Sequence, residues 1–207
     1  MEVKEFNSYK STKLAIIYIH GGPYFQIKKS SDDPYLEFLV KNYPIVLCPN
    51  YTINLNAKKF EKRIGLSDIQ KLVSEIKDNY SRVVIIGDSY GGYLASLFSN
   101  DRIIDKVIVI SGFISLYYQS IFSTEWKLIQ SIFKFNDLDW FSLYQNKRNI
   151  TPTYFIQGTI DKACPIQQFK IINNEFNGKI FKLPGFTHRE TSIDKINTIL
   201  SLLEKLI

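Results

Sequence analysis

The sequence predicts an α/β protein built on a mostly parallel sheet of about six strands, with helices on both faces and a small helical insertion. Three observations lead there. Continuous apolar runs such as Leu14-Ala15-Ile16-Ile17-Tyr18-Ile19 and Val83-Val84-Ile85-Ile86 have the pattern of strands buried on both faces, which belongs to parallel sheets. Segments with helical spacing of apolar residues separate these runs, so strand and helix alternate. Several runs also end in glycine-bearing turns, and an open α/β sheet places its ligand crevice at the carboxyl ends of its strands.

Taken in order, residues 1–13 are polar without a clear period and read as a lead-in or a short edge strand. Leu14–Ile19 is the first buried strand and runs into His20-Gly21-Gly22-Pro23. Tyr35 to Lys41 has the apolar spacing of a short helix, and Pro44–Pro49 is the second buried strand. Leu66, Ile69, Leu72, Val73 and Ile76 share one helical face, with Ser67 or Asp68 placed to serve the helix start and Asn79 near its end. Val83–Ile86 then drives into Gly87-Asp88-Ser89-Tyr90-Gly91-Gly92 and a helix-like segment through Phe98. Lys106–Gly112, Thr153–Gly158 and Lys179–Pro184 complete the strands. A cap-like insertion rich in aromatic residues is expected at about 113–150. At 207 residues with 45% hydrophobic content, 1–207 reads as a single domain with one large core.

Composition excludes several function classes. The net charge of +6 comes from lysines scattered along the chain, with no dense basic block and no interleaved basic and aromatic platform, so no nucleic-acid partner is expected. Cys48 and Cys164 lack CxxC spacing and a nearby histidine pair, so no metal is expected. The N-terminus has no signal-peptide pattern and no apolar run approaches the ~18 residues of a membrane span. The expected setting is cytoplasmic, without a membrane partner.

The chemistry gathers around Ser89. A serine on so tight a strand-to-helix turn requires glycines two places to either side, and Gly87 and Gly91 supply them. Such a turn presents the hydroxyl at the sheet edge and aims the backbone N–H of Tyr90 at a developing oxyanion. Serine is a weak nucleophile until a base takes its proton. Of the two histidines, His188 lies in the loop after the last strand and is the expected base, while His20 braces the glycine loop. Asp161, in Gly158-Thr159-Ile160-Asp161 directly after a strand, is the expected acid. Asp88 points elsewhere, and Glu190 and Asp194 open the final helix, where acidic residues favour the dipole. The second oxyanion donor should be a backbone N–H of Gly21-Gly22-Pro23, with Gly22 chosen. Tyr24, Phe113, Trp126 and Trp140 are candidate lining for a substrate pocket, against the alternative that such rings pack the core.

The order Ser89, Asp161, His188 is the chain order of the α/β-hydrolase fold. HGGP after a strand, GDSYGGYLA at the elbow, GTIDKACP and GFTHRE in sequence resemble the catalytic domain of the prolyl oligopeptidase family, in its acylaminoacyl-peptidase-like branch. The resemblance runs from about Leu14 to the C-terminus. It implies Ser89, Asp161 and His188 as triad, with Gly22 and Tyr90 as the oxyanion hole. Three departures from the family's usual pattern are expected: no N-terminal β-propeller, Asn50-Tyr51-Thr52-Ile53-Asn54 in place of a glycine-rich stretch, and no counterpart of the first strands of the full hydrolase sheet. The leading expectation is a serine hydrolase, peptidase-like and cofactor-free, acting on a small-molecule or short-peptide substrate. A carboxylesterase or thioesterase is the alternative within the same chemistry, and a non-catalytic binding module the alternative outside it.

Overall fold

The structure is a computed structural model that describes residues 2–6, 13–22, 26–51, 59–60, 65–125, 134–135, 150–171 and 177–207. In chain order the strands are β1 (Glu2–Phe6), β2 (Leu14–Ile19), β3 (Val46–Asn50), β4 (Lys59–Phe60), β5 (Arg82–Asp88), β6 (Lys106–Ile110), β7 (Lys134–Phe135), β8 (Thr153–Gly158) and β9 (Gly178–Leu183). The helices are α1 (Pro34–Asn42), α2 (Leu66–Ile76), α3 (Ser89–Ser96), α4 (Leu116–Phe122) and α5 (Ile193–Leu206).

The apolar runs make the centre of a seven-stranded sheet ordered β1-β3-β2-β5-β6-β8-β9. β2 and β5 pair in parallel from Leu14 opposite Arg82 to Ile19 opposite Gly87. The six strands expected from the sequence are all parallel. The polar lead-in contributes the seventh: β1 runs antiparallel on the edge beside β3, with Glu2 opposite Asn50. Its half-exposed pattern explains why it lacks an apolar signature.

Alternation along the strands divides the core in two. Ile17, Ile85 and Val109 face α2 and α3, whereas Ile16, Val84, Ile86 and Ile108 face Leu36 and Leu39 of α1 and Ile199 and Leu203 of α5. Each such side chain contributes ~1.5–3 kcal/mol by leaving water. α1 starts where Asp33 accepts the N–H groups of Tyr35 and Leu36 at 2.9 and 3.0 Å, with Pro34 in the first turn. The other Asp33 oxygen accepts from Tyr18 at 2.8 Å and so ties that helix to β2.

α2 begins differently from expectation. Its N-cap is Gly65 at φ 84°, and Ser67 and Asp68 lie inside the first turn. A side chain at Gly65 would strike the Tyr51 ring, with a Cβ only 2.7 Å from Cδ2. The insertion is helical at its start, where Ser115 accepts the N–H of Tyr118 to cap α4. It is not helical throughout: β7 pairs in parallel with β4 in a separate two-stranded sheet. Residues 126–133 and 136–149 of the insertion lie outside the described residues. Among the described residues no helix is long and apolar enough to cross a membrane.

Candidate active site

β5 delivers Ser89 at the first residue of α3 with φ 52°, a left-handed conformation that costs a non-glycine residue ~1–3 kcal/mol. The flanking glycines permit it. A Cβ at Gly87 would lie 2.2 Å from the Gly91 carbonyl oxygen, and one at Gly91 would lie 2.1 Å from that of Ile19. The turn therefore closes on its own helix and presses against the end of β2.

The Ser89 hydroxyl donates to His188 Nε2 at 3.0 Å, and His188 Nδ1–H donates to Asp161 Oδ2 at 3.0 Å. The His188 side chain is 22% exposed and that of Asp161 is fully buried. Asp161 also accepts the Cys164 N–H on Oδ1 at 2.7 Å and Gln157 Nε2 on Oδ2 at 3.0 Å. Burial opposes the imidazolium of His188, but its contacts with Cys164 and Asp161 outweigh burial and push His188 well above the ordinary histidine value. Burial likewise pushes the Cys164 thiol up and keeps it neutral, so the Asp161 carboxylate carries the effect on His188.

The histidine loop is held from both sides. Ile160 N–H donates to the Phe186 carbonyl at 3.1 Å and Gly185 N–H to Thr159 Oγ1 at 3.0 Å, which joins this loop to the acid loop. Lys195 reaches back from α5 to the Gly185 carbonyl at 2.6 Å and pairs with Glu190 at 3.2 Å. Glu190 accepts the N–H of Thr187. It therefore precedes α5, which starts at Ile193, and clasps the histidine loop instead of serving the helix dipole.

The glycine loop after β2 lies against the nucleophile. A Cβ at Gly21 would stand 2.5 Å from Asp88 Oδ2 and 3.1 Å from Ser89 Cβ. Asp88 thus lies under this loop, and burial, helped by the Asp33 charge, pushes its carboxyl up to about 7. Gly22 adopts φ 71°. His20 Nδ1–H donates to the Gly21 carbonyl at 3.0 Å, and burial pushes the His20 ring down, so it stays neutral. Since the peptide is trans, that bond turns the Gly22 N–H away from the His20 ring. Tyr51 stacks on His20 with ring centroids 4.6 Å apart and donates to the carbonyls of His20 at 3.1 Å and Gly22 at 3.3 Å. Asn50 fixes the far end of the loop through both the N–H and C=O of Ile27, at 2.9 and 3.0 Å. Asn50 and Tyr51, which stand where a glycine-rich stretch was wanting, brace this loop.

Tyr90 keeps its backbone N–H at the N-terminus of α3, while its ring packs among Tyr51, Tyr93 and Phe113. Phe113 is 5% exposed and stacks on Tyr93 at 4.8 Å, so its ring belongs to the core and not to an open pocket wall. Tyr24, Trp126 and Trp140 lie outside the described residues. Among the described residues no group of three or more His, Cys, Asp or Glu could hold a metal ion. Sequence reasoning missed Gln157 and Tyr51. Gln157 left a faint signal, as a polar residue on the buried Phe155 face at the carboxyl end of a strand.

A sequence profile of the prolyl oligopeptidase family matches residues 56–176, more than half of the chain, a span that includes Ser89 and Asp161 and stops short of His188. No curated protein matches the chain significantly by sequence. Among solved structures, a puromycin-hydrolyzing peptidase from Mycobacterium tuberculosis superposes with a TM-score of 0.78 at 14% identity, over 99% of this chain and 36% of its own. The acylaminoacyl peptidase of Pyrococcus horikoshii gives 0.73 at 16% identity, over 99% of this chain and 39% of its own. An esterase from Pyrobaculum calidifontis gives 0.73 at 14% identity, over 98% and 80%. The fold shared with these proteins is that of the α/β-hydrolases. The chain spans well under half the length of either peptidase.

Proposed function

The chain belongs to the prolyl oligopeptidase family of serine hydrolases, and on that premise we propose that it cleaves an amide or ester bond through an acyl-enzyme on Ser89, with a short peptide as the leading substrate class. The observation that carries this reading is the unbroken path from Ser89 Oγ through both nitrogens of His188 to Asp161, 3.0 Å at each step. In the first half-reaction Ser89 Oγ bonds to the substrate carbonyl carbon as its proton passes to His188 Nε2. The carbonyl oxygen becomes an oxyanion, received by the N–H groups of Gly22 and Tyr90. His188 then returns that proton to the departing amine or alcohol as the carbon–leaving group bond breaks. Water repeats the sequence on the acyl-serine, losing one proton to His188 and releasing the acid, and Ser89 regains its hydrogen. Asp161 holds the Nδ1–H tautomer and offsets the imidazolium charge.

Triad chemistry does not select the leaving group. The experiment is therefore labelling with a fluorophosphonate, followed by rates on an aminoacyl anilide and a p-nitrophenyl acyl ester. Labelling that Ser89→Ala abolishes, with anilide turnover, is the expected result. Ester turnover alone would assign an esterase, and a folded protein that takes up no label would make the chain a binding module.

A further inference from the structure

Asp161 is gripped by more than His188, and the extra grip comes from one side chain outside the triad. Gln157 is fully buried at the end of β8 on the face that Phe155 gives to the apolar core. Its Nε2 has two hydrogens and two acceptors: Asp161 Oδ2 at 3.0 Å and the Cys164 carbonyl at 2.5 Å. Cys164 in turn donates its N–H to Asp161 Oδ1 at 2.7 Å. Gln157, Asp161 and Cys164 therefore close a triangle in which both carboxylate oxygens have a fixed donor besides the histidine. Turning the amide over would set its oxygen against two acceptors, so the orientation is dictated. Nothing among the described residues donates to Gln157 Oε1.

We infer that Gln157 is a positioning residue: by holding Asp161 Oδ2 it fixes the carboxylate plane that aligns His188, and it acts on the reaction only through that pair. This rests on the hydrolase reading above. Removing the donor leaves Oδ2 held by His188 alone while the Cys164 N–H keeps Oδ1, which loosens the carboxylate plane and weakens its contact with Nδ1 and its stabilisation of the imidazolium.

The test is the rate of fluorophosphonate labelling at Ser89 as a function of pH, in wild type and in Gln157→Met, with the His188 Nδ1 proton followed by NMR and folding by thermal melt. The variant should label ~10-fold more slowly or worse, its acid limb should move to lower pH towards that of Asp161→Asn, and the downfield Nδ1 proton should broaden or vanish. Gln157→Glu keeps the shape and serves if Gln157→Met does not fold. It carries one hydrogen for two acceptors and none once ionised, so its labelling deficit relative to wild type should widen as pH rises. A labelling rate within twofold of wild type overturns the inference, as does a slower rate whose acid limb stays or moves up, or a Gln157→Glu profile shaped like the wild type. If wild type itself is not labelled at Ser89, the hydrolase reading fails; normal wild-type labelling with an unaffected variant removes the Gln157 role alone.

Discussion

Ser89 and His188 stand 3.0 Å apart although β5 and β9, the strands that carry them, are separated in the sheet by β6 and β8. Three strand spacings of ~4.8 Å put those strands roughly 14 Å apart, so the histidine loop must travel back across the sheet edge. It crosses at Gly158. A Cβ there would lie 2.3 Å from the Phe186 carbonyl oxygen, which is the acceptor for the Ile160 N–H. Gly158→Ala should displace Phe186 and carry His188 with it. Displacement of a base by about 1 Å costs on the order of 10²-fold in turnover. We expect that loss with an unchanged far-ultraviolet dichroism spectrum, and comparable turnover in a folded variant would show that the loop reaches Ser89 by another constraint.

The contact of His188 with Asp161 sets the pH dependence. Catalysis needs neutral His188, and its basicity in the fold is raised well above the ordinary value of 6.5. Turnover should therefore climb with pH through a midpoint above 6.5. In Asp161→Asn the opposing effect of burial is left without the carboxylate, so the midpoint should move down while the maximal rate drops. The same shift affects stability. Folded His188 keeps its proton to higher pH than the unfolded chain, so this contribution is complete below the unfolded value and is lost as pH rises through the folded one. Profiles of kcat/KM for wild type and variant measure the first statement, and melts across the same range measure the second.

Tyr51 bears on the oxyanion loop without lying in the proposed hole, since its hydroxyl is spent on the carbonyls of His20 and Gly22. Tyr51→Phe keeps the stack on His20 and removes the bonds to those two carbonyls. Losing an oxyanion donor outright costs ~10²- to 10³-fold; loosening its support should cost about tenfold in kcat, with KM little changed. Sulfur accepts hydrogen bonds poorly, so an ester and its thionoester should be discriminated less by Tyr51→Phe than by wild type. Unaltered discrimination would confine Tyr51 to packing.

These residues also show what a sequence can and cannot reveal. The central strands are legible because burial on both faces leaves uninterrupted apolar runs, as in Leu14–Ile19. Ser89, Asp161 and His188 are legible because each sits directly at or after a strand end, where chain order maps onto the sheet edge. The cap of α2 is not legible locally, because a left-handed Gly65 is chosen by the approach of Tyr51, a contact between distant parts of the chain. Phe113 was ambiguous for a related reason: an aromatic ring suits core and pocket equally, and only its stacking partner Tyr93 decides. Tyr51 braces a loop from a distant part of the chain, so nothing local marks it, and Gln157 is marked only by being polar on the buried face of its strand.

Asp88 offers the clearest separation of stability from chemistry. Its carboxyl lies under Gly21 and is pushed up to about 7 by burial first and by Asp33 next, from 3.8. Arg189 and His188 oppose that shift, and Asp161 adds to it. Across the window between those two values the folded protein holds a proton that the unfolded chain has already released. Folding stability must then fall as pH rises through the window and level off above it, at ~1.4 kcal/mol per unit of displacement before relaxation. Asp88→Asn has nearly the same shape and does not titrate. The variant should melt close to wild type at and below pH 3.8, gain progressively as pH rises from there to about 7, and hold a constant advantage from about pH 8 upward. A melting difference that stays flat between those limits would mean that Asp88 ionises freely beneath the loop, and that Asp33 and burial do not govern it.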